Sequence, residues 1–122
     1  MGWHFDSNRP IYAQLAEHIQ LQIAAGVYPP GSKLPSVRDL AAEAEVNPNT
    51  MQRALAELET EGLIFAQRTA GRFVTQDAEA VDQSRRRLFQ SAVEAFLKNM
   101  GSLGCSPQQS LEILKNHVEG LH

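Results

Sequence analysis

Residues 34–74 read LPSVRDLAAEAEVNPNTMQRALAELETEGLIFAQRTAGRFV, and the order of signals in this stretch decides the fold. A short helix, a turn, a second helix with a polar outer face and a two-stranded ribbon follow one another. That order is a helix-turn-helix with a wing. Pro35 biases Leu34 towards extended geometry, so Leu34 closes a short strand or turn. Ser36 is a good N-cap, and Asp39, three positions on, makes a carboxylate version of the capping box while favouring the helix dipole. Val37, Leu40, Ala41 and Ala44 then recur at i, i+3, i+4 and i+7, which predicts one buried stripe. Arg38 falls off that stripe, in the first turn and pointing outward. Val46 is placed to plug the angle between the two helices.

The second helix has stronger start signals. Asn47 is an N-cap type, and Pro48 at the first helical position needs no amide partner. Met51, Ala54, Leu55 and Leu58 form the apolar stripe, which leaves Asn49, Thr50, Gln52, Arg53 and Ala56 on the other faces. Gly62 is free to take the left-handed conformation that ends a helix. Asn, Thr, Gln and Arg are the types that carry the commonest base-edge and phosphate contacts in a major groove. A polar helix face taken alone is at least as often a solvated surface; its neighbours tip the balance here. Leu63 to Arg68 and Arg72 to Val74 are short β-prone runs joined through Thr69-Ala70-Gly71, with Gly71 supplying the turn geometry. Arg68 and Arg72 bracket the tip, where a wing meets backbone phosphates. A plain surface hairpin with two solvated arginines is the weaker reading once the helices are included.

With these residues quoted, the chain resembles the GntR family of bacterial transcription regulators. The resemblance rests on Leu34 to Ala41, Val46 to Thr50 and Leu58 to Ile64. It extends back to Pro10-Ile11-Tyr12 and Gly31-Ser32-Lys33, roughly half the chain. The short tail after the wing is similar to the YtrA subfamily, in which two helices replace a large effector domain. The resemblance implies that Arg38, the residues from Asn47 to Gln52, and Gly71 meet DNA. Thr69 stands where members often carry glycine, and Arg72 where they often carry threonine. The candidate DNA-contacting set is therefore Ser36, Arg38, Asn47, Asn49, Thr50, Gln52, Arg53, Arg68, Gly71 and Arg72.

The length of 122 residues allows one compact domain with an appendage. Eleven Lys+Arg against fourteen Asp+Glu leave a formal charge of -3, which argues against an indiscriminate polyanion binder. Local placement still governs the field at a contact surface, and Lys33, Arg38, Arg53, Arg68 and Arg72 are expected to share the reading side. Glu57, Glu59 and Glu61 lie further along the second helix and read as a solvated surface. The single Cys105 excludes an intramolecular disulfide framework and fits a reducing cytoplasm. No signal peptide is visible, and no apolar run is long enough to span a bilayer, so no membrane partner is expected.

Before the winged stretch, Trp3 and Phe5 alternate in residues 1–9, a segment expected to pack on the first helix or on a second protomer. Ile11, Leu15, Ile19 and Ile23, with Ala16, then predict a long helix from Pro10 to near Gly26. His18 stands alone on it and reads as a surface residue. Tyr28-Pro29-Pro30-Gly31 is a turn cluster.

After Thr75 the composition shifts through Gln76-Asp77-Ala78-Glu79-Ala80, a hinge into helix, so the domains are read as 1–75 and 76–122. Leu88, Phe89, Ala92, Val93, Phe96, Leu97 and Met100 give the tail's first helix a broad apolar face. Gly101 to Cys105 breaks it. Ser106-Pro107-Gln108-Gln109 starts a last helix with an N-cap, a proline and a glutamine at the capping-box position. Leu111, Leu114, Val118 and Leu121 form its stripe. Two such helices cannot bury that face against each other alone, and a twofold homodimer is the commonest answer. The run Arg85-Arg86-Arg87 is as often a solvated face as everything else together, the other readings being extra phosphate contact and pairing with acidic residues of a partner.

Catalytic chemistry finds no support. His4, His18, His117, His122 and Cys105 lack metal-ligand spacing, and there is no glycine-rich phosphate loop and no nucleophile elbow. The expectation is mainly α with a small β-ribbon: a winged helix-turn-helix followed by a two-helix dimerisation tail. Its expected function is that of a non-enzymatic regulator, most simply a repressor, binding double-stranded DNA as a homodimer without cofactor or metal. The alternative is a winged-helix module used for protein contact. Nothing in the sequence names an operator or an effector.

Overall fold

A computed structural model describes residues 3–121; Met1, Gly2 and His122 lie outside the described residues, and with them the start of the 1–9 segment and one of the four histidines. Five helices and one hairpin follow in order: α1 (Ile11–Ala24), α2 (Val37–Ala44), α3 (Pro48–Thr60), β1 (Ile64–Gln67), β2 (Gly71–Val74), α4 (Ala78–Ser102) and α5 (Pro107–Glu119). The chain divides into two compact units, Met1–Arg85 and Arg86–His122.

In the first unit the stripes predicted from periodicity are the core. Leu15, Ala16, Ile19 and Ile23 of α1 meet Leu40, Ala41 and Ala44 of α2, and Met51, Ala54, Leu55 and Leu58 of α3. Burying a leucine or isoleucine fully stabilises by roughly 1.5–3 kcal/mol relative to leaving it exposed, so this shared interior fixes the three-helix packing. Ser36 caps α2, its hydroxyl accepting from the Asp39 amide at 3.1 Å; the reciprocal carboxylate contact of a full capping box is absent among the described residues. The turn into α3 runs through Glu45 in the left-handed region (φ 59°), a conformation costing a side chain about 1–2 kcal/mol. Val46 behind it packs against the core, which holds the turn in place. Gly62 ends α3 at φ 79°, as its type predicts.

β1 and β2 pair antiparallel with Ile64 opposite Val74 and Gln67 opposite Gly71. The tip is thus Arg68-Thr69-Ala70, and Gly71 opens the returning strand at φ 102°. A three-residue loop closed by a left-handed glycine is a common hairpin solution. Leu63, Ile64 and Val74 turn into the core, while Phe65 and Phe73 stack across the outer face at 5.9 Å. Residues 31–34 lie along the free edge of β2. The amide of Leu34 donates to the Arg72 carbonyl and that of Val74 to the Ser32 carbonyl, both at 2.9 Å.

The segment before α1 packs on α1 and α2. Trp3 stacks on His18 with ring centroids 3.8 Å apart, and its indole N–H reaches Glu43 at 3.4 Å. His18 is therefore half-buried, contrary to its reading as a surface residue; the ring that covers it comes from a segment remote in sequence. Burial pushes its imidazole below the usual value, an effect Glu43 partly offsets. Gln14, also buried, clamps the same segment, accepting from the Asp6 amide (2.6 Å) and donating to the Asp6 and Arg9 carbonyls. The first turns of α4 belong to this unit too. Val81 packs against the core, and the buried Ser84 hydroxyl accepts from Gln20 at 2.7 Å.

In the second unit α5 opens with the predicted capping box: Ser106 accepts from the Gln109 amide and Gln109 accepts from the Ser106 amide, with Pro107 at the first position. Ser110, fully buried, donates to the Ser106 carbonyl at 2.9 Å.

Candidate nucleic-acid interface

The α2–turn–α3 unit presents α3 through the side its core stripe leaves free. Asn47 caps this helix, its side-chain Oδ1 accepting from the Asn49 backbone amide at 2.7 Å. That leaves the Asn47 side-chain N–H groups to face outward from an exposed residue. Asn49 and Gln52 are exposed, and Thr50 is half-buried. The side chains of Asn49 and Gln52 make no hydrogen bond to a described residue. No large apolar side chain interrupts this face: Ala56 is the exposed apolar position on it. A helix about 10–12 Å across with amide and guanidinium donors outward matches the width and the donor–acceptor pattern of a major groove.

A second element of the site is a groove of about 610 Å³ between the start of α2 and the wing. Ser36, Gly71 and Arg72 line it, together with Lys33, Asp39 and Thr69. The Lys33 side chain crosses the wing so closely that a Cβ on Gly71 would sit 3.1 Å from its Cε. The start of a helix, with its free amides and positive dipole end, favours anions. Lys33 adds a cation and Asp39 opposes it. Lys33 stood outside the candidate set although its position one residue before Leu34-Pro35 is what brings it against the wing.

The candidate arginines occupy different settings. Arg38 and Arg68 are exposed, Arg38 in the first turn of α2 and Arg68 at the wing tip. Arg72 is not a free cation: its Nε donates to Glu59 Oε1 at 2.7 Å, with side-chain exposures of 20% and 32%. The register explains this, since Arg72 shares the inward face of the hairpin with Val74 and so points at α3. Glu59 is correspondingly a partner of the wing, whereas the sequence alone read it as solvated surface. Arg53 lies outside the wing groove, with its guanidinium carbon over the Tyr12 ring of α1 at 3.7 Å from the centroid.

The tail carries the other candidate surface. Phe89, Ala92, Val93, Leu111, Leu114 and Val118 are exposed, while Leu88, Phe96, Leu97 and Met100 are half-buried. Ala92, Val93, Phe96, Leu97, Leu111 and Leu114 line an open apolar groove of about 520 Å³ between α4 and α5. Exposure of 42–56% for Leu114, Val118, Val93 and Leu111 is high for large apolar groups that cluster on one face. Among the described residues no group of three or more His, Cys, Asp or Glu is placed to hold a metal ion, and no helix is long and apolar enough to cross a membrane.

Comparison with known proteins places this geometry. Over 98% of this chain and 99% of the relative, the sequence is 40% identical to the HTH-type transcriptional regulator YhcF of Bacillus subtilis. It is 41% identical to the transcriptional repressor YtrA of the same organism, over 60% of this chain and 56% of YtrA. A GntR family transcriptional regulator from Listeria monocytogenes superimposes with a TM-score of 0.81 at 38% identity, covering 92% of this chain and 98% of that one. The DNA-binding domain of AraR, solved in complex with an operator, superimposes with a TM-score of 0.55 at 29% identity, over 62% of this chain and 90% of that one. Residues 11–74, which span α1 to the end of the wing, match the bacterial regulatory proteins of the gntR family. A winged helix-turn-helix with these relatives is a regulator's architecture and not an enzyme's, and the chain belongs to the gntR family.

Proposed function

We propose that this chain is a sequence-specific DNA-binding transcription regulator, most simply a cytoplasmic repressor that occludes promoter DNA, acting as a homodimer on an inverted-repeat operator. The observation that carries the reading is the outer face of α3, where Asn47, Asn49, Gln52 and Arg53 keep donors and acceptors outward beside the α2–wing groove. On this reading Asn49, Thr50, Gln52 and Arg53 meet base edges, and Ser36, Arg38, Asn47, Arg68 and Gly71 meet the backbone. Arg72 serves by holding the wing to α3. The operator complexed with the AraR domain and the repressor designation of YtrA support the same assignment. The exposed apolar face of α4 and α5 supports a second copy as partner, through Leu88, Phe89, Ala92, Val93, Phe96, Leu97, Met100, Leu111, Leu114 and Val118.

A twofold dimer sets two α3 helices into major grooves on one side of the duplex, so half-sites lie about one helical turn, roughly 34 Å, apart or a multiple of it. The test is selection of duplexes from a random pool by the purified protein, followed by mobility shifts on the selected site with graded spacers. An inverted repeat is expected, and inserting about 5 base pairs between its halves should abolish dimer binding by turning one half-site to the far face. Binding indifferent to spacer length, or a site without inverted symmetry, overturns the twofold reading; enrichment of no sequence overturns DNA reading altogether.

A further inference from the structure

Arg53 is the one candidate base-reading residue whose side chain the structure holds by a ring. Its guanidinium carbon lies over the Tyr12 ring, 3.7 Å from the centroid, well inside the range in which the negative face of an aromatic ring attracts a cation. Tyr12 belongs to the first turn of α1, is half-buried and packs against the core, so the ring is a fixed platform. Arg53 itself is exposed and makes no hydrogen bond or ion pair with any described residue, Glu57 four positions along α3 included. Without the ring, nothing on the described surface orders this long, rotamer-rich side chain.

With its carbon held over the ring and none of its N–H groups engaged by a described residue, the guanidinium keeps its planar fork of donors available. Those donors are the fork that grips the O6 and N7 of guanine, the commonest specific major-groove contact. Orientation matters for that contact in a way it does not for attraction to a phosphate, because a bidentate fork discriminates only when its plane is set. The Tyr12 hydroxyl has no hydrogen-bond partner among the described residues, so the ring alone does the holding.

We propose that Tyr12 is a positioning residue for sequence readout: its ring fixes the Arg53 guanidinium before DNA arrives, so that Arg53 discriminates between bases instead of merely adding charge. This rests on the DNA-reading function proposed above, and on no DNA contact by Tyr12 itself.

The experiment compares the full-length parent with Tyr12→Phe, Tyr12→Leu and Arg53→Ala. Each selects from the same random duplex pool, and each is titrated with salt on the duplex the parent enriches. The order of the Arg53 side chain is followed by 15Nε relaxation in the free proteins. Tyr12→Phe should reproduce the parent's motif and its ordered Arg53. Tyr12→Leu should mobilise Arg53 and lose about tenfold discrimination at the same base position that Arg53→Ala relaxes. Its salt slope should be unchanged, because no phosphate contact has been removed. Should Tyr12→Leu fail to fold, Tyr12→Met, unbranched and apolar, takes its place. Selection of the parent's full motif by Tyr12→Leu, an Arg53 equally ordered in both, or a uniform loss on every sequence overturns the proposal. A parent that enriches no sequence overturns instead the DNA-reading function on which it rests.

Discussion

Removing Glu59 should make the protein bind DNA more strongly at low salt, although Glu59 lies on α3 and the change introduces no new cation. The reason is the 2.7 Å pair with Arg72. At an effective dielectric of about 20, two unit charges at that separation attract by roughly 6 kcal/mol before costs. Desolvation of a carboxylate and a guanidinium that are each still partly exposed, and ordering of both side chains, remove most of it. Exposed pairs retain about 0.2–1 kcal/mol and fully buried ones lose about 3–5 kcal/mol when broken, so a coupling of about 1–2 kcal/mol is expected here. A double-mutant cycle of Glu59→Ala and Arg72→Ala, read by urea unfolding at one fixed protein concentration, measures it. The DNA arm is separate. With Glu59 gone, Arg72 becomes a free cation on the wing, and the slope of log K against log salt should steepen by up to about 0.9. Arg72→Ala, which removes a charge already neutralised, should leave the slope nearly unchanged. A coupling near zero, or a slope that falls by about one in Arg72→Ala, would refute this reasoning and return Arg72 to direct phosphate contact.

Three further outcomes are expected. Arg68→Ala should weaken binding to all sequences alike and lower the salt slope by about 0.9, whereas Arg53→Ala should cost about 1–3 kcal/mol on the selected site and relax preference at one base; identical behaviour of the two variants would count against their different settings. A chain ending at Arg85 should fold and sediment as a monomer with little affinity for the two-half-site operator, while one ending at Gln76 should be less stable because it strips Val81 and Ser84 from the first unit; a dimeric 1–85 fragment would move the interface out of the tail. His18 should titrate below its ordinary value of about 6.5. Because the unfolded chain then binds the proton more readily, this contribution to stability is complete above about pH 6.5 and is lost as pH falls through the folded pKa. Trp3→Ala should return the NMR-observed pKa towards 6.5; a parent value at or above 6.5 would mean that the Trp3 ring favours the imidazolium more than burial disfavours it.

What the sequence made legible is what local spacing controls. The stripes of α1, α2 and α3, the Ser36, Asn47 and Ser106 caps, and the left-handed Gly62 and Gly71 all depend on residues within a turn or two of one another. The wing was legible as a hairpin, yet its tip shifted by one residue, because Gly71 serves as the first residue of β2. Glu45 in a left-handed turn had no signal, since its conformation is imposed by Val46 anchoring in the core. The pairs Arg72–Glu59, Arg53–Tyr12 and Trp3–His18 join elements separated along the chain, and no periodicity reports such contacts. They are also the contacts that divide the cations by setting: one neutralised, one oriented, others left free.

That division bears on how a chain of net charge -3 would read a polyanion. Sequence-independent affinity grows with each phosphate neutralised, and it competes with recognition because every site in a genome offers phosphates. Glu59 removes Arg72 from that account, Asp39 tempers the groove beside Lys33, and Arg53 lies over the ring of Tyr12, which on the proposal above turns its charge towards discrimination. A single winged unit of this kind has few free cations with which to hold DNA: Lys33, Arg38 and Arg68 are exposed and have no pairing among the described residues. Affinity on the proposed reading must then come from joining two such units, since a second half-site is bound at the effective concentration the tail imposes and multiplies the affinity of the first. On that reading the apolar face of α4 and α5 is as much a part of specificity as the polar face of α3, because weak singly bound units reject non-specific DNA that strongly charged ones would hold.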